Sequence, residues 1–290
     1  MNRKGITLIE LLVALTISGI LVAGVYRTFV SQQHTYTVQD QVVDMQQNVR
    51  LAINRMTREI RMANFGRQVK VDKNLDGTYT YNDTFFSSHG GMYGTFSSFV
   101  NPGGAGTSVT VVGAYQAVTT LSAPAPTGSG KNPNPIQVND ASGFDTGSKQ
   151  YISINGTESF QIQKITGNQI ELKDALSEDH LTGEPVYLVM AITYSLGIFE
   201  GKSALLKDDN LGLGPQPVAE NIENLQFAYF DDANPPNQLA LPIADPKIIR
   251  MIQVTIIART DKTDSELAKA GDGFRRRTLT TNIQLRNLAL

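Results

Sequence analysis

Ile6 to Val25 is a run of 20 residues carrying a single charge, Glu10. As a helix rising about 1.5 Å per residue, it reaches about 30 Å, the hydrocarbon thickness of a bilayer. Met1–Gly5 is short and basic, and Arg3 and Lys4 place the N-terminus in the cytoplasm by the positive-inside rule. Arg27 marks the far end of the run. A secretory signal has a shorter apolar core followed by a small-residue cleavage site. Neither occurs here, and the helical pattern continues. The plain reading is an uncleaved signal anchor.

Glu10 argues against that reading. A carboxylate inside a membrane run costs about 2.5–3.5 kcal/mol on insertion scales, and no cation lies within the run to offset it. Cleavage after Gly5 would create one, the α-amino group of Ile6, able to pair with Glu10 of the same chain or of a neighbour in an assembly. The run Lys4-Gly5-Ile6-Thr7-Leu8-Ile9-Glu10-Leu11-Leu12-Val13-Ala14-Leu15 resembles the class III leader of type IV pilins and pseudopilins. The resemblance implies that a prepilin peptidase cuts between Gly5 and Ile6 and methylates the Ile6 amine. It also implies that Glu10 is the glutamate that serves subunit assembly. Position 6 is Ile where the family most often has Phe.

Beyond the apolar run the chain divides into two textures. All 12 prolines lie between Pro102 and Pro246, and only three of the 25 glycines precede Phe65. Residues 1–70 carry nine Lys/Arg against four Asp/Glu, a net of +5; the remainder nets −7. Val38, Val42, Met45, Val49, Ala52, Met56, Ile60 and Ala63 recur at spacings of three and four, one apolar stripe of an amphipathic helix. The spacing predicts a helix over 6–65, membrane-spanning at 6–25, with Gly66 as its C′ residue. The basic cluster Arg50, Arg55, Arg58, Arg61, Arg67 and Lys70 complements the negative helix end. No aromatic interleaving follows the stripe, so nucleic acid is not the expected partner.

After Gly66, short alternating runs separated by Gly, Pro, Asn and Asp predict antiparallel β structure. Residues 66–121 lead from helix to sheet, with a strand at Ser108–Val112. Residues 122–196 are expected to form an inserted β module behind a linker-like loop at 122–135. Its strands are Ile136–Val138, Tyr151–Ile154, Ser159–Ile165, Gln169–Leu172 and Pro185–Tyr194, with hairpin turns at Asn155-Gly156 and Gly167-Asn168. Residues 197–290 hold Ser203–Lys207, Asn224–Phe230, Ile248–Arg259 and Thr278–Leu288. The last two pair across the charged loop 261–277, and Ile248, Arg250, Ile252, Val254 and Ile256 share a face. A long helix packed on such a sheet is an α+β arrangement.

The C-terminal half resembles minor pilins of the PilW type and, more distantly, J-type pseudopilins of type II secretion. The matching runs are Val186–Val189 with Ile192–Tyr194, Val218–Phe227 with Tyr229, Ile252–Arg259 and Thr278–Asn287. This resemblance implies other minor and major pilins, the prepilin peptidase, an inner-membrane assembly platform and a tip adhesin as partners. The implied location is the inner membrane, with the C-terminal part periplasmic, and then the pilus or pseudopilus tip.

The chain contains no cysteine, which excludes disulfides, thiolate catalysis and Cys-based metal sites. His34, His89 and His180 show no carboxylate–His or His–His spacing suggestive of a metal or a triad, and each is expected at the surface. Thr127-Gly128-Ser129-Gly130-Lys131 departs from a P-loop at Ala125 and Asn132. The chain is therefore not expected to be an enzyme. Asp72-Lys73-Asn74-Leu75-Asp76-Gly77 matches the first six positions of an EF-hand-type calcium loop. Asp72, Asn74 and Asp76 would give side-chain oxygens, Thr78 its carbonyl, and Asp83 would stand at position 12 in place of Glu. The alternative is an Asp-Gly turn between two strands. The functional expectation is a structural minor pilin in pilus priming or a tip complex. The alternatives are a type II secretion pseudopilin and a signal-anchored periplasmic binding domain.

Overall fold

A computed structural model describes residues 8–75, 78–87, 90–264 and 266–288. The chain begins with one uninterrupted helix, α1 (Leu8–Arg61, 54 residues), where no proline interrupts the backbone ladder. Fifteen strands follow among the described residues. They are β1 (Lys70–Lys73), β2 (Tyr79–Asn82), β3 (Val100–Pro102), β4 (Ser108–Thr120), β5 (Ile136–Gln137), β6 (Tyr151–Ile154), β7 (Glu158–Thr166), β8 (Gln169–Leu172), β9 (Pro185–Phe199), β10 (Lys202–Asp208), β11 (Gln216–Glu220), β12 (Ile222–Phe230), β13 (Gln238–Leu239), β14 (Met251–Arg259) and β15 (Arg276–Gln284). A four-residue helix, α2 (Thr84–Ser87), interrupts them. The architecture is thus a long N-terminal apolar helix followed by antiparallel β-sheets.

Two compact units divide the chain: residues up to Gln47 with Thr260–Arg275, and Asn48–Arg259 with Arg276 onward. In the first unit, Asp264 is buried. Its Oδ2 accepts from Arg275 Nε (3.2 Å) and Nη2 (2.6 Å), and Oδ1 lies 3.7 Å from His34 Nε2. The Arg275 guanidinium holds the Asp264 carboxyl below its usual range.

The second unit holds all three sheets. Every strand pairing in it is antiparallel. The largest sheet has nine strands in the order β11-β10-β9-β6-β7-β8-β5, with β4 also on β9 and β3 on β4. A four-stranded sheet runs β13-β12-β14-β15, and β1-β2 is a separate hairpin. The β14–β15 pairing across the charged loop is as expected, and Ile252, Val254 and Ile256 are fully buried on one face. Ile248 and Arg250 are not part of that strand. Pro246 starts a short 3-10 turn, Pro246–Ile248, capped by Asp245, and β14 begins only at Met251.

The expected module at 122–196 does not form a sheet of its own. β9 runs on to Phe199, past the expected boundary. At Val186–Leu188 it pairs with β4 and with β6 at once, so the strands before, within and after the segment share one ladder. The segment does have a dense apolar centre, including Leu121, Ile136, Ile152, Ile170, Leu172 and Leu188.

Within the second unit, the end of α1 lies against the nine-stranded sheet. Val49, Ala52, Ile53, Met56, Ile60 and Ala63 are buried. Val38 and Val42, earlier in the stripe, are only half-buried. Gly113 of β4 permits the approach, since a Cβ there would stand 2.5 Å from the Met62 carbonyl oxygen. The chain then leaves the helix through a series of turns, with Asn64 N donating to Val112 O and Ala114 N to Phe65 O.

Candidate functional site

The N-terminal part of α1 is apolar and uncovered. Leu8 is 80 % exposed and Val25 69 %, with Leu11, Leu15, Ile20 and Leu21 similarly bare. Among the described residues this is the one helix long and apolar enough to cross a membrane. Glu10 sits in its first turn, where a carboxylate also complements the positive helix end. Gly5 and Ile6, the expected cleavage and methylation positions, lie outside the described residues. The available chemistry here is association: a broad exposed apolar surface with one carboxylate in its first turn.

The other end of α1 is fastened by polar groups that the sequence reading did not single out. Glu59 Oε1 accepts from Lys207 Nζ of β10 at 2.6 Å, and Oε2 accepts from the Tyr194 hydroxyl of β9 at 2.5 Å. The Tyr115 hydroxyl of β4 donates to the Glu59 backbone carbonyl at 3.1 Å. Burial, and then the Glu59 charge, raises the Tyr115 and Tyr194 hydroxyls well above the ordinary tyrosine range. Both therefore stay neutral donors. Nothing in the spacing of Glu59, Tyr194 and Lys207 along the chain announces this cluster, because it is made by the sheet topology.

The exit of α1 uses Asn64 where Gly66 was expected. Asn64 takes the left-handed conformation (φ 62°) and is buried. Its side chain exchanges hydrogen bonds with Val69, Nδ2 to Val69 O at 2.8 Å and Val69 N to Oδ1 at 2.9 Å. Asn tolerates this conformation and adds the polar partners that glycine lacks. Gly66 is also left-handed (φ 100°), and a Cβ there would stand 2.8 Å from the Ser153 and Ser159 hydroxyls.

Four of the five proposed calcium ligands lie among the described residues, spread along the β1–β2 hairpin. Asp72 lies in β1 opposite Thr80, Asn74 follows the last residue of β1, and Thr78 precedes the first residue of β2. The Thr78 carbonyl already accepts from Asn74 N at 2.7 Å, and Asn74 Nδ2 donates to the Thr78 and Thr80 hydroxyls. Asp83 follows Asn82 at the opposite end of the hairpin, four pairs or about 10 Å away at ~3.3 Å per residue. There it is bound to Lys247 Nζ at 2.7 Å. Asp76 lies outside the described residues.

One histidine also differs from expectation. His34 is exposed, and His89 lies outside the described residues. His180, expected at the surface, is 3 % exposed. Its Nδ1 is 2.7 Å from Glu184 Oε2, and Nε2 is 3.5 Å from Glu158 Oε1, an ion-pair distance. Glu158 also accepts from Ser177 N, Ser177 Oγ and Glu178 N. Burial alone would lower the His180 value, but hydrogen bonds and charge from Glu158 and Glu184 outweigh it and raise the value above the ordinary one. The four-residue step from His180 to Glu184 was the signal available in the sequence. Among the described residues, no group of three or more His, Asp or Glu is arranged to hold a metal ion.

Residues 1–26 match the family described as the prokaryotic N-terminal methylation motif. No curated protein and no solved structure matches the chain. The N-terminal match and the exposed apolar helix support a pilin-like or pseudopilin-like, membrane-anchored protein with a prepilin-type leader.

Proposed function

We propose that the chain is a minor pilin of the PilW type, acting in priming or in the tip complex of a type IV pilus. The observation that carries this reading is the matched N-terminal methylation motif at residues 1–26; in this reading Gly5, Ile6 and Glu10 take its cleavage, methylation and assembly roles. The bare apolar helix from Leu8 onward supports it. Such a surface is stable in a bilayer before assembly and among neighbouring helices afterwards.

In this account the prepilin peptidase cuts after Gly5 and methylates Ile6. The helix waits in the inner membrane, with the sheet-bearing part in the periplasm, until the assembly platform draws it into the fibre. Glu10 then meets a terminal amine on its own chain or on a neighbouring subunit, and this pairing fixes the register between subunits. Partners are other minor and major pilins and a tip adhesin.

Substitution of Glu10 tests the reading. Glu10→Val is expected to leave membrane insertion intact, because it removes a charge from the apolar run, and to abolish recovery of the protein in sheared fibres. Normal incorporation of Glu10→Val into fibres would contradict it.

A further inference from the structure

β15 forms one edge of the four-stranded sheet. It pairs with β14 over nine positions without a register break, from Met251↔Gln284 to Arg259↔Arg276. Arg259 N donates to Asn221 O on the other side, so the odd-numbered residues of β14 point toward β12 and the even-numbered ones toward β15. In an antiparallel ladder, the N–H and C=O groups of Thr278, Thr280, Asn282 and Gln284 then point away from β14. These four residues are all exposed, and no backbone bond within the described residues reaches that side of them.

Long, flat, unprotected edges invite pairing with another chain, and proteins commonly blunt them with proline, bulges or shortness. Among the described residues, the other outermost strands of the two larger sheets are short or interrupted. β11 carries Pro217 and a bulge against β10. β5 and β13 have two residues each, and β3 has three and ends at Pro102. β15 has nine residues and neither proline nor bulge.

We propose that the outer edge of β15 accepts an extended strand from a different, co-assembling subunit, one carrying acidic residues where it passes Arg276 and Arg277. Charge selects the occupant. Arg276 faces Arg259 across the ladder, and Arg277 follows it, exposed. Glu223 binds Arg276 (2.5 and 2.8 Å), and the exposed Arg277 adds a second guanidinium beside it. A second copy pairing in parallel would set arginine against arginine. An antiparallel second copy would bring Arg286 near the same end. A strand with carboxylates there gains charge-assisted contacts, while its backbone supplies the donors and acceptors that the even-numbered residues lack. Thr280 and Thr255, bonded through their hydroxyls at 3.1 Å, show that short polar side chains already form a ladder on this face. Naming the occupant a fibre subunit rests on the proposed function; the binding edge itself does not.

The test uses the full chain in detergent micelles and a fluorescein-labelled nine-residue peptide. The peptide alternates threonine and valine and ends in two glutamates, which an antiparallel strand places beside Arg276 and Arg277. A second peptide ends in two lysines. Saturable binding is expected for the acidic peptide, with at least tenfold weaker binding for the lysine one. Thr280→Pro removes an outward N–H and leaves the bonds to β14, a place where strands accept proline. It is expected to weaken binding at least tenfold at an unchanged melting temperature. Arg277→Glu is expected to reverse the preference between the peptides, so the test does not depend on one variant. No binding, equal binding of both peptides, or unchanged binding to Thr280→Pro and Arg277→Glu would overturn the proposal. So would ready disulfide dimerisation of Thr280→Cys in this otherwise cysteine-free chain, which would make a second copy the occupant. None of these readouts depends on cleavage at Gly5, so failure here is distinct from failure of the pilin reading.

Discussion

Asn287 and Asn64, 223 positions apart in the chain, hold the exit of α1 between them. Asn287 Nδ2 donates to the carbonyls of Arg61 (3.2 Å) and Ala63 (3.3 Å), and its own carbonyl accepts from Asn64 Nδ2 at 3.0 Å. The last carbonyls of a helix have no partner within it, and here a side chain following β15 supplies one. The pair joins the end of the helix to the end of the four-stranded sheet.

Asn64→Ala is therefore expected to destabilise the second unit by about 3 kcal/mol, combining ~1–3 kcal/mol for buried polar groups left unsatisfied with ~1–2 kcal/mol for a left-handed alanine. Asn287→Ala, which loses bonds but strains no backbone, is expected to cost about 1–2 kcal/mol. Urea midpoints at constant m-value measure both. Equal effects would mean that the left-handed turn contributes nothing.

Glu59 and Lys207 are both largely buried, at 16 % and 15 % exposure. Removing either charge leaves the other poorly solvated, so each single substitution, Glu59→Gln or Lys207→Met, is expected to destabilise. The double variant is expected to recover part of the loss, with a coupling of ~1–2 kcal/mol. A double-mutant cycle by thermal unfolding measures it, and additive effects would contradict a direct interaction.

His180 makes stability depend on pH in a known direction. Its folded value is raised above the unfolded one. Its contribution is therefore complete below about pH 6.5, the ordinary imidazole value, and is lost as pH rises through the folded value. Glu158 has the opposite sense. Burial pushes its value up, but the bonds from His180 and Ser177 bring it below the ordinary carboxyl range. Its contribution is present above the unfolded value and is lost as pH falls through the folded one. Thermal melts are expected to peak in mildly acidic solution and to fall toward pH 9, with His180→Gln flattening the alkaline side. An unchanged alkaline slope in His180→Gln would place the effect elsewhere.

Local pattern and long-range pairing were legible in the chain to different degrees. Tyr151–Ile154 and Gln169–Leu172 occupy the strands expected from their alternation. Asn155, Gly156 and Gly167 take the positive φ that their hairpin turns require. β4 was expected to stop at Val112. Gly113 and Ala114 look like weak strand formers in isolation, yet both pair with β9 and lie beneath α1. Pro, Gly and Ser crowd the entrance to the 122–196 segment, a composition that suggests a separate module. Composition does not reveal that β9 bonds to strands on both sides of that boundary. The leader was the most legible feature, since its meaning depends on spacing within one short run of sequence. The Glu59 and Asn64 anchorages were hidden because each depends on a partner more than a hundred positions away.

The central claim is that Glu10 sits in an apolar helix to meet an amine made by cleavage after Gly5. Intact-mass and N-terminal peptide analysis of the protein from its native membranes and fibres tests it most directly. The account predicts a chain beginning at Ile6 with a methylated amine. A fully functional protein that still begins at Met1 would contradict it.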